Sequence, residues 1–203
     1  LRFTNIGFRY QLLFTLFALY HNHMPNRIII TGGPGSGKTS LISFLSENGF
    51  QCQHEISREV ILEAQKEGID QLFLTDPILF SKKLLEGRLK QFNDIHHFKK
   101  TAIFYDRGLP DITAYMDYTK VNYPGEFKKY CQNNRYDCVF LLPPWKEIYI
   151  QDNERYESFD EAEKIHHFLL EGYKNYGYKV IEVPFGTLAN RMQFIKTNLA
   201  HQF

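Results

Sequence analysis

The chain has 203 residues, of which 43% are hydrophobic, so it is long and apolar enough for one globular domain and is not intrinsically disordered. Its 24 basic and 23 acidic residues give a formal net charge of +1, which provides no general attraction to nucleic acid or to an anionic membrane. The three cysteines have no CxxC spacing, and their odd number does not indicate a disulfide framework, so we expect reduced thiols in a cytoplasmic protein.

Residues 1–23 differ from the rest of the chain, because they are rich in aromatic residues and precede the methionine at position 24. Their apolar stretch, residues 12–20, is too short to span a bilayer. Two arginines precede it, as in a signal peptide, but no small-residue cleavage site follows. Three interpretations stay open: an extension outside the fold, an amphipathic helix that packs on the domain or touches a membrane, and a targeting segment. We assign residues 24–203 to one domain.

The first predicted strand leads directly into a glycine-rich motif. Residues 28–30 form a β-branched run, and residues 32–39 match the pattern GxxxxGK[ST] in full. Helical spacing of apolar residues begins at Leu41, and Gly49 ends that helix. Strand, loop and helix in this order predict a phosphate-binding loop, or P-loop. Its glycines let backbone N–H groups face an anion, and the helix presents its positive end to the same anion.

The P-loop also predicts the cofactors. Lys38 is expected to reach the β- and γ-phosphates of a nucleoside triphosphate, and Thr39 to bind Mg²⁺ through its hydroxyl. Residues 134–137 resemble the guanine-reading motif NKxD only faintly and precede a strand instead of following one, which favours ATP and leaves GTP as an alternative. The residues predicted to line the nucleotide site are Gly33, Pro34, Gly35, Ser36, Gly37, Lys38, Thr39 and Ser40.

Predicted strands and helices alternate along the rest of the chain. Four further strands are predicted at 50–57, 101–105, 136–142 and 178–184. Helices are predicted from 58, over 74–95 with Thr75 as the N-cap, over 112–118 and 127–131, from the capping box at 158–161, and over 187–200. This alternation predicts an α/β, doubly wound protein with a five-stranded parallel sheet. Ligands of such sheets bind at the carboxyl ends of the strands, where the P-loop, Glu55, Asp106 and Pro143 all fall.

An acidic and a basic residue end the third predicted strand. Asp106 occupies the position of a Walker B acid, which predicts that it holds Mg²⁺ through a water molecule opposite Thr39. A motor ATPase usually has a second carboxylate next, whereas this chain has Arg107. A cation there suits an anionic acceptor or the transferring phosphoryl group. The alternative is that Arg107 only pairs with a nearby acid: Asp111, Glu55 or Glu59.

Two more residues are candidates for a catalytic role. Glu55 follows the second strand, where a carboxylate could take a proton from an acceptor hydroxyl, or could instead be an acid favoured by the N-terminus of a helix. The polar segment 148–162 lies where small kinases keep a closing lid. Its Arg155 is predicted to stabilise charge on the γ-phosphoryl group, together with Asp152, and the alternative is a solvated loop.

Five segments together resemble a known family: GGPGSGKTSLI, EISREVI, YDRGLPDITAY, LLPPWKEIYIQDNERYESFDEA and GYKVIEVP. Over residues 26–198 they resemble small AAA-type P-loop domains, similar to the NadR-type ribosylnicotinamide kinase domain and the TRPL translocation defect protein, and more distantly to thymidylate and deoxynucleoside kinases. The resemblance implies an adenylate-kinase-like fold with strand order 2-3-1-4-5. It also implies that Asp106 and Arg107 face the acceptor as well as Mg²⁺, and that the loop 184–187, with Pro184, packs beside the base.

Two hypotheses about function follow. The first is a cytoplasmic Mg²⁺-dependent enzyme that binds ATP and either transfers a phosphoryl group to an unidentified small molecule or hydrolyses ATP. The second, motivated by the likeness to the TRPL translocation protein and by the aromatic extension, is a nucleotide-dependent regulatory or binding protein associated with lipid. Neither involves nucleic acid, and membrane contact is expected only through residues 1–23.

Overall fold

The computed structural model describes residues 25–95, 102–149 and 157–201, and these contain five strands and eight α-helices. The strands are β1 (Asn26–Thr31), β2 (Gln51–Gln53), β3 (Ala102–Asp106), β4 (Cys138–Leu141) and β5 (Val180–Glu182). The helices are α1 (Lys38–Glu47), α2 (Ser57–Lys66), α3 (Leu72–Thr75), α4 (Pro77–Asn93), α5 (Leu109–Tyr118), α6 (Glu126–Asn133), α7 (Phe159–Asn175) and α8 (Leu188–Ala200). A short 3₁₀ helix spans Lys146–Ile148. The predicted α/β class is confirmed.

The five strands form one parallel sheet in the order β2-β3-β1-β4-β5, as the family resemblance implies. Ile30 of the central strand pairs with Asp106 of β3 on one side and with Phe140 of β4 on the other. The connection after β1 runs to β2, whereas the connection after β3 runs to β4 on the opposite side. The adjacent strands β1 and β3 therefore form the topological switch point, where doubly wound sheets bind their ligands.

Both faces of the sheet are covered by helices. Ile29 of β1 packs in one hydrophobic cluster, and its neighbours Ile28 and Ile30 pack in the cluster on the other face. All three side chains are fully buried, which explains why this strand is a continuous apolar run instead of an alternating one. Within the described residues, no helix combines the length and apolarity needed to cross a membrane.

The start of the long helix α4 differs from the prediction. The side chain of Asp76 accepts a hydrogen bond from the Leu79 N–H at 2.9 Å, so Asp76 is the N-cap, and Thr75 instead ends α3. The reason is Pro77, because a proline disfavours helical dihedrals in the residue before it, and Asp76 accordingly has φ −142° and ψ 80°. The boundary therefore lies one residue later than predicted.

The second strand is shorter than predicted. β2 lies at the edge of the sheet and pairs only with β3, over residues Gln51–Gln53. Because α2 begins at Ser57, Glu55 lies in the connection between β2 and α2 and not on the strand. The predicted capping box is confirmed, since the Ser158 side chain and Glu161 exchange hydrogen bonds at the start of α7.

Candidate active site

The P-loop joins β1 to α1 in a conformation that depends on glycine. Gly35 and Gly37 have φ angles of +69° and +73°, in the left-handed region that other residues adopt only at a cost. Gly37 is the N-cap of α1, so the helix begins at Lys38. The positive end of α1 therefore faces the concave side of the loop, which is the arrangement that binds phosphate.

Three carbonyl groups of the P-loop accept hydrogen bonds that fix their direction, one from within the loop and two from outside it. The Ser36 hydroxyl donates to the Gly33 carbonyl at 2.8 Å, the Trp145 N–H donates to the Gly35 carbonyl at 3.1 Å, and Arg191 Nη2 donates to the Ser36 carbonyl at 3.0 Å. In a planar trans peptide unit the C=O and the following N–H point in opposite directions. Carbonyls that point outward therefore leave the N–H groups of Ser36 and Gly37 pointing inward.

Lys38 forms a direct ion pair with Asp106 of β3. Nζ lies 2.5 Å from Oδ1, and the two side chains are only 8% and 5% exposed. Burial lowers the pKa of Lys38 and the nearby Arg107 lowers it further, while Asp106 and Glu55 oppose this shift. The predicted Walker B acid and P-loop lysine therefore meet at the switch point between β1 and β3.

Thr39 and Ser40 occupy the exposed first turn of α1. Thr39 follows Lys38 in the chain and Asp106 pairs with Lys38. Oxygen ligands of this kind fit Mg²⁺, which takes one or two protein oxygens and completes its shell with phosphate and water. The described residues contain no cluster of three or more His, Cys, Asp or Glu side chains that could hold a metal alone. Any metal here would depend on the nucleotide for the rest of its ligands.

Beside this pair lies a second group of charges, formed by Glu55, Arg88, Arg107 and Asp111. Glu55 accepts from Arg88 Nη2 at 3.1 Å and pairs through its other oxygen with Arg107 Nε. Arg107 Nη1 lies 3.7 Å from Asp111 Oδ1. Two arginines thus face two carboxylates, so Arg107 pairs with two of the acids that the sequence offered, Glu55 and Asp111, and its role towards a ligand stays a prediction.

The charge of Glu55 is strongly stabilised. Its Oε1 also accepts from the Ile56 and Ser57 N–H groups, at 3.1 and 3.2 Å, at the beginning of α2. Burial alone would raise the pKa of Glu55, but Arg88, Arg107 and Lys38 outweigh it and lower the pKa to about 2. Glu55 is therefore an acid at a helix N-terminus, as one of the two interpretations predicted, and it also lies close to the P-loop lysine. Its role as a proton acceptor stays a prediction.

Arg107 adopts an unusual backbone conformation. Its φ angle of 75° is left-handed, which costs roughly 1 kcal/mol or more for a residue with a side chain. Its N–H continues the pairing of β3 with β1 by donating to the Ile30 carbonyl at 3.0 Å. The side chain donates to the Tyr115 hydroxyl at 3.1 Å, with its guanidinium 5.2 Å from that ring. Strain at this turn therefore accompanies the placement of Arg107 between Glu55 and Tyr115.

Asp111 is a buried acceptor that fixes the turn after β3. It is 1% exposed and accepts from Thr31 Oγ1 and Tyr173 Oη, each at 2.5 Å, and from the Gly108 N–H at 2.8 Å. These bonds join the end of β1, the start of α5 and helix α7. Asp111 thereby fixes the position from which Arg107 projects.

Sequence reasoning missed two buried arginines. Arg88 is 4% exposed and donates to Glu55 and to the Gly108 carbonyl, and Arg191 is 1% exposed and donates to the P-loop. A pattern could have indicated Arg88, since it follows Leu84 and Leu85 at the helical spacing of the buried stripe in α4. A charged residue in an apolar stripe implies a buried partner.

The loop after β5 lies beside the P-loop. Pro184 is exposed, and its neighbour Phe185, 53% exposed, stacks on Trp145 with ring centroids 5.2 Å apart and planes 25° apart. Trp145 is also the residue whose N–H holds the Gly35 carbonyl. An aromatic surface thus adjoins the phosphate-binding loop on the side where the resemblance places the base.

Arg155 and Asp152 lie outside the described residues. The described residues on either side of positions 150–156 are Tyr149 and Glu157. The Tyr149 hydroxyl donates a hydrogen bond to the Glu157 carbonyl. The Tyr149 ring packs against Gly35, where a Cβ atom would overlap it. Tyr149 therefore lies next to the P-loop, and Glu157 lies next to Tyr149.

The parallel sheet, its strand order and the loop between β1 and α1 define a small kinase-like P-loop protein of the α/β class. The family model described as AAA domain (AAA_28) matches residues 27–191. The chain belongs to this family.

Several solved structures have the same fold as this chain. A deoxyadenosine kinase from M. mycoides with dCMP and dCDP has a TM-score of 0.63 and 18% identity, over 86% of this chain and 99% of that one. NadR protein in complex with NR has a TM-score of 0.66 and 17% identity, over 96% of this chain and 59% of the NadR chain. NadR in complex with NAD and AMP-PNP has a TM-score of 0.65 and 19% identity, over 91% and 51%.

At these identities the likeness shows the fold alone. The chain spans little more than half of the NadR chains and almost the whole of the deoxyadenosine kinase. Among curated proteins, no sequence matches this chain.

Proposed function

We propose that the protein binds ATP with Mg²⁺ at the P-loop and transfers the γ-phosphoryl group to a hydroxyl of an uncharged small molecule. The observation that carries this proposal is that two groups of charged side chains lie near each other at the switch point, close enough for Arg107 and Glu55 to shift the pKa of Lys38. The pair Lys38–Asp106 lies on the nucleotide side, and the group around Glu55 and Arg107 lies beside it. A donor site and an acceptor site that share one cleft are what direct phosphoryl transfer requires.

On the donor side, the inward N–H groups of Ser36 and Gly37 would hold the phosphates, with Gly33, Pro34, Gly35 and Ser40 forming the rest of the cradle. Lys38 would exchange Asp106 for the β- and γ-phosphate oxygens. Thr39 and Asp106 would then hold Mg²⁺, which supplies charge stabilisation for the transferring group. The base would lie towards Pro184. ATP is favoured over GTP, because the chain has no well-placed guanine-reading motif.

The charge balance on the acceptor side supports an uncharged acceptor. Arg88 and Arg107 are both paired with carboxylates among the described residues. An anionic acceptor would need a cation whose charge is not already balanced, since anions are bound by charge-assisted bonds to such groups. Of the two ligands that the sequence suggested for Arg107, an anionic acceptor or the transferring phosphoryl group, we therefore favour the second. The name of the similarly folded deoxyadenosine kinase supports a nucleoside-like molecule.

Glu55 would orient the acceptor hydroxyl. A carboxylate with a pKa of about 2 is a weak base, so it would not remove the proton before transfer begins. A loose transition state needs little help from a base, because the phosphoryl group departs before the new bond is well formed. Glu55 would therefore act mainly by accepting a hydrogen bond, while Arg107 and Arg155 would neutralise charge on the phosphoryl group.

An acceptor-dependent assay of ADP release tests this proposal. Purified protein with Mg-ATP would be supplied with uncharged nucleosides and sugars in one set and with their monophosphates in another. We expect stimulation by at least one uncharged compound and by none of the monophosphates. If ATP binds but no acceptor stimulates ADP release, the alternative of a nucleotide-dependent regulatory or binding protein is favoured. Stimulation by monophosphates alone would overturn the assignment of the acceptor.

A further inference from the structure

Arg191 is a buried cation on the outer side of the P-loop. It lies in α8, is 1% exposed, and donates from Nη2 to the Ser36 carbonyl at 3.0 Å. A Cβ atom on Gly37 would lie only 2.9 Å from its Nη1. The ion pairs formed among the described residues do not include Arg191, and its Nε has no hydrogen-bond partner there.

This contact determines how one peptide unit of the cradle is oriented. Because the unit between Ser36 and Gly37 is planar and trans, its C=O and N–H point in opposite directions. Arg191 holds the C=O towards α8, so the Gly37 N–H points to the concave face of the loop. Gly37 also begins α1 at a φ angle of +73°, so the same contact stabilises the turn into that helix.

Among the described residues, the charge of Arg191 has little compensation. The ring of Trp145, with its centroid 6.0 Å from the guanidinium carbon, gives a weak cation–π contact at the limit of its range. A buried charge without a partner is costly, so a counter-ion is needed nearby. Phosphate on the concave face would provide the opposite charge across a single peptide unit.

We propose that Arg191 is a positioning residue for the nucleotide: it directs the Gly37 N–H towards the phosphates, and their charge balances its own. The inference rests on the proposed function, because it requires a phosphate ligand at the P-loop. It differs from a purely structural role, in which Arg191 would stabilise the fold equally with and without nucleotide.

Titrations with two ligands test the proposal. Mg-ATP and magnesium tripolyphosphate, which has no base, would be titrated calorimetrically into the wild type and into Arg191→Met. We expect both affinities to fall by a similar factor of roughly 10 to 100, because one bond from a charged donor and its charge are lost. Arg191→Lys, which keeps the charge, should recover part of this loss. If only the affinity for Mg-ATP falls, the proposal is overturned, because Arg191 would then act on the binding of the base through Trp145 and not on the phosphates.

Thermal unfolding separates positioning from stability. The increase in Tm that Mg-ATP causes should shrink in Arg191→Met by more than any change in the Tm of the free protein. If the substitution lowers the Tm equally with and without nucleotide, Arg191 has a purely structural role. If the methionine variant does not fold, Arg191→Gln keeps a donor without the charge, and its ATP affinity should fall about tenfold.

Arg135 provides a matched control. It also stacks on an aromatic ring, with its guanidinium carbon 3.8 Å from the Tyr178 centroid, and also donates to a backbone carbonyl, that of Tyr176. It lies before β4, at the end of the sheet opposite the P-loop, so Arg135→Met should leave both affinities unchanged. A wild type that binds neither ligand would refute the proposed function. A folded Arg191→Met that binds within twofold of the wild type would refute only the positioning role.

Discussion

Lys38 and Asp106 contact each other directly, with 2.5 Å between Nζ and Oδ1, at the point where the P-loop and β3 meet. The proposed function gives each of them a different ligand: Lys38 would bind phosphate, and Asp106 would bind Mg²⁺. Under the proposed function, nucleotide binding would break this pair, and Mg²⁺ and phosphate would replace what each partner loses.

The first prediction concerns Asp106→Asn. Without metal, the variant should bind ATP at least as well as the wild type, because a competitor for Lys38 and a repulsive charge are both removed. With Mg²⁺ the wild type should gain affinity and the variant should gain little, because a metal ligand is lost. Calorimetric titrations of ATP in EDTA and in Mg²⁺ measure the factor by which Mg²⁺ raises the affinity for ATP. If this factor is the same in the variant and the wild type, Asp106 is not a ligand of the metal.

The second prediction concerns Lys38→Ala, which should reduce the affinity for Mg-ATP by a factor of about 100 or more. Charge-assisted bonds to two phosphates are lost, each worth roughly 1.5–3 kcal/mol. Lys174→Ala is the control, because that lysine is 52% exposed and pairs only with Glu171 among the described residues. Circular dichroism should accompany both, since Lys38→Ala leaves the buried Asp106 unpaired. Unaltered ATP affinity in a folded variant contradicts the predicted P-loop chemistry.

The third prediction is a dependence of stability on pH. The pKa of Glu55 is lowered from 4.5 to about 2 in the folded protein, so its charge stabilises the fold above pH 4.5 and this stability is lost as the pH falls from 4.5 to 2. The shift corresponds to roughly 3 kcal/mol for a side chain that is 20% exposed. Denaturant unfolding of Glu55→Gln should show a deficit of this order at pH 7 that shrinks towards pH 2.

Glu171→Gln is the matched control for this measurement. Glu171 also pairs with a cation, Lys174 at 3.0 Å, but the two side chains are 45% and 52% exposed. Exposed pairs typically contribute less than about 1 kcal/mol, so this variant should unfold almost as the wild type does at every pH. Parallel pH profiles for Glu55→Gln and the wild type would show that the arginines do not stabilise the Glu55 charge.

The fourth prediction separates the side chain of Arg107 from its backbone. Arg107→Ala and Arg107→Gly should both reduce kcat/KM for the acceptor far more than they weaken ATP binding, because the lost cation lies beside Glu55. The glycine variant should be the more stable of the two by about 1 kcal/mol, since glycine adopts a φ angle of 75° without strain. Steady-state kinetics and thermal unfolding measure the two effects. Equal loss of ATP affinity and acceptor use would place Arg107 on the donor side instead.

The sequence predicted those parts of the site that depend on local spacing. The P-loop motif lies within residues 32–39, and Asp106 directly ends an apolar strand, so both could be recognised without knowledge of the fold. The strand order came from the family resemblance, and the parallel sheet confirms it.

Partners that come together across the chain could not be predicted. Arg88 meets Glu55 across 33 residues, and Tyr173 meets Asp111 across 62, so neither pair has a local pattern. The same limit explains the wrong end of β2, which depends on its pairing with β3. The wrong start of α4 has a local cause instead, because Asp76, not Thr75, caps the helix owing to the proline that follows it.

The hydrogen bond from Arg191 to the Ser36 carbonyl joins residues that are 155 positions apart. During synthesis from the N-terminus, the glycine-rich loop therefore leaves the ribosome long before the helix that supports it. Domains generally fold as units once their sequence has emerged. A nascent chain that ends before α8 should therefore be unable to retain nucleotide, and ATP would act as a ligand that stabilises the domain only after its last helix has been made.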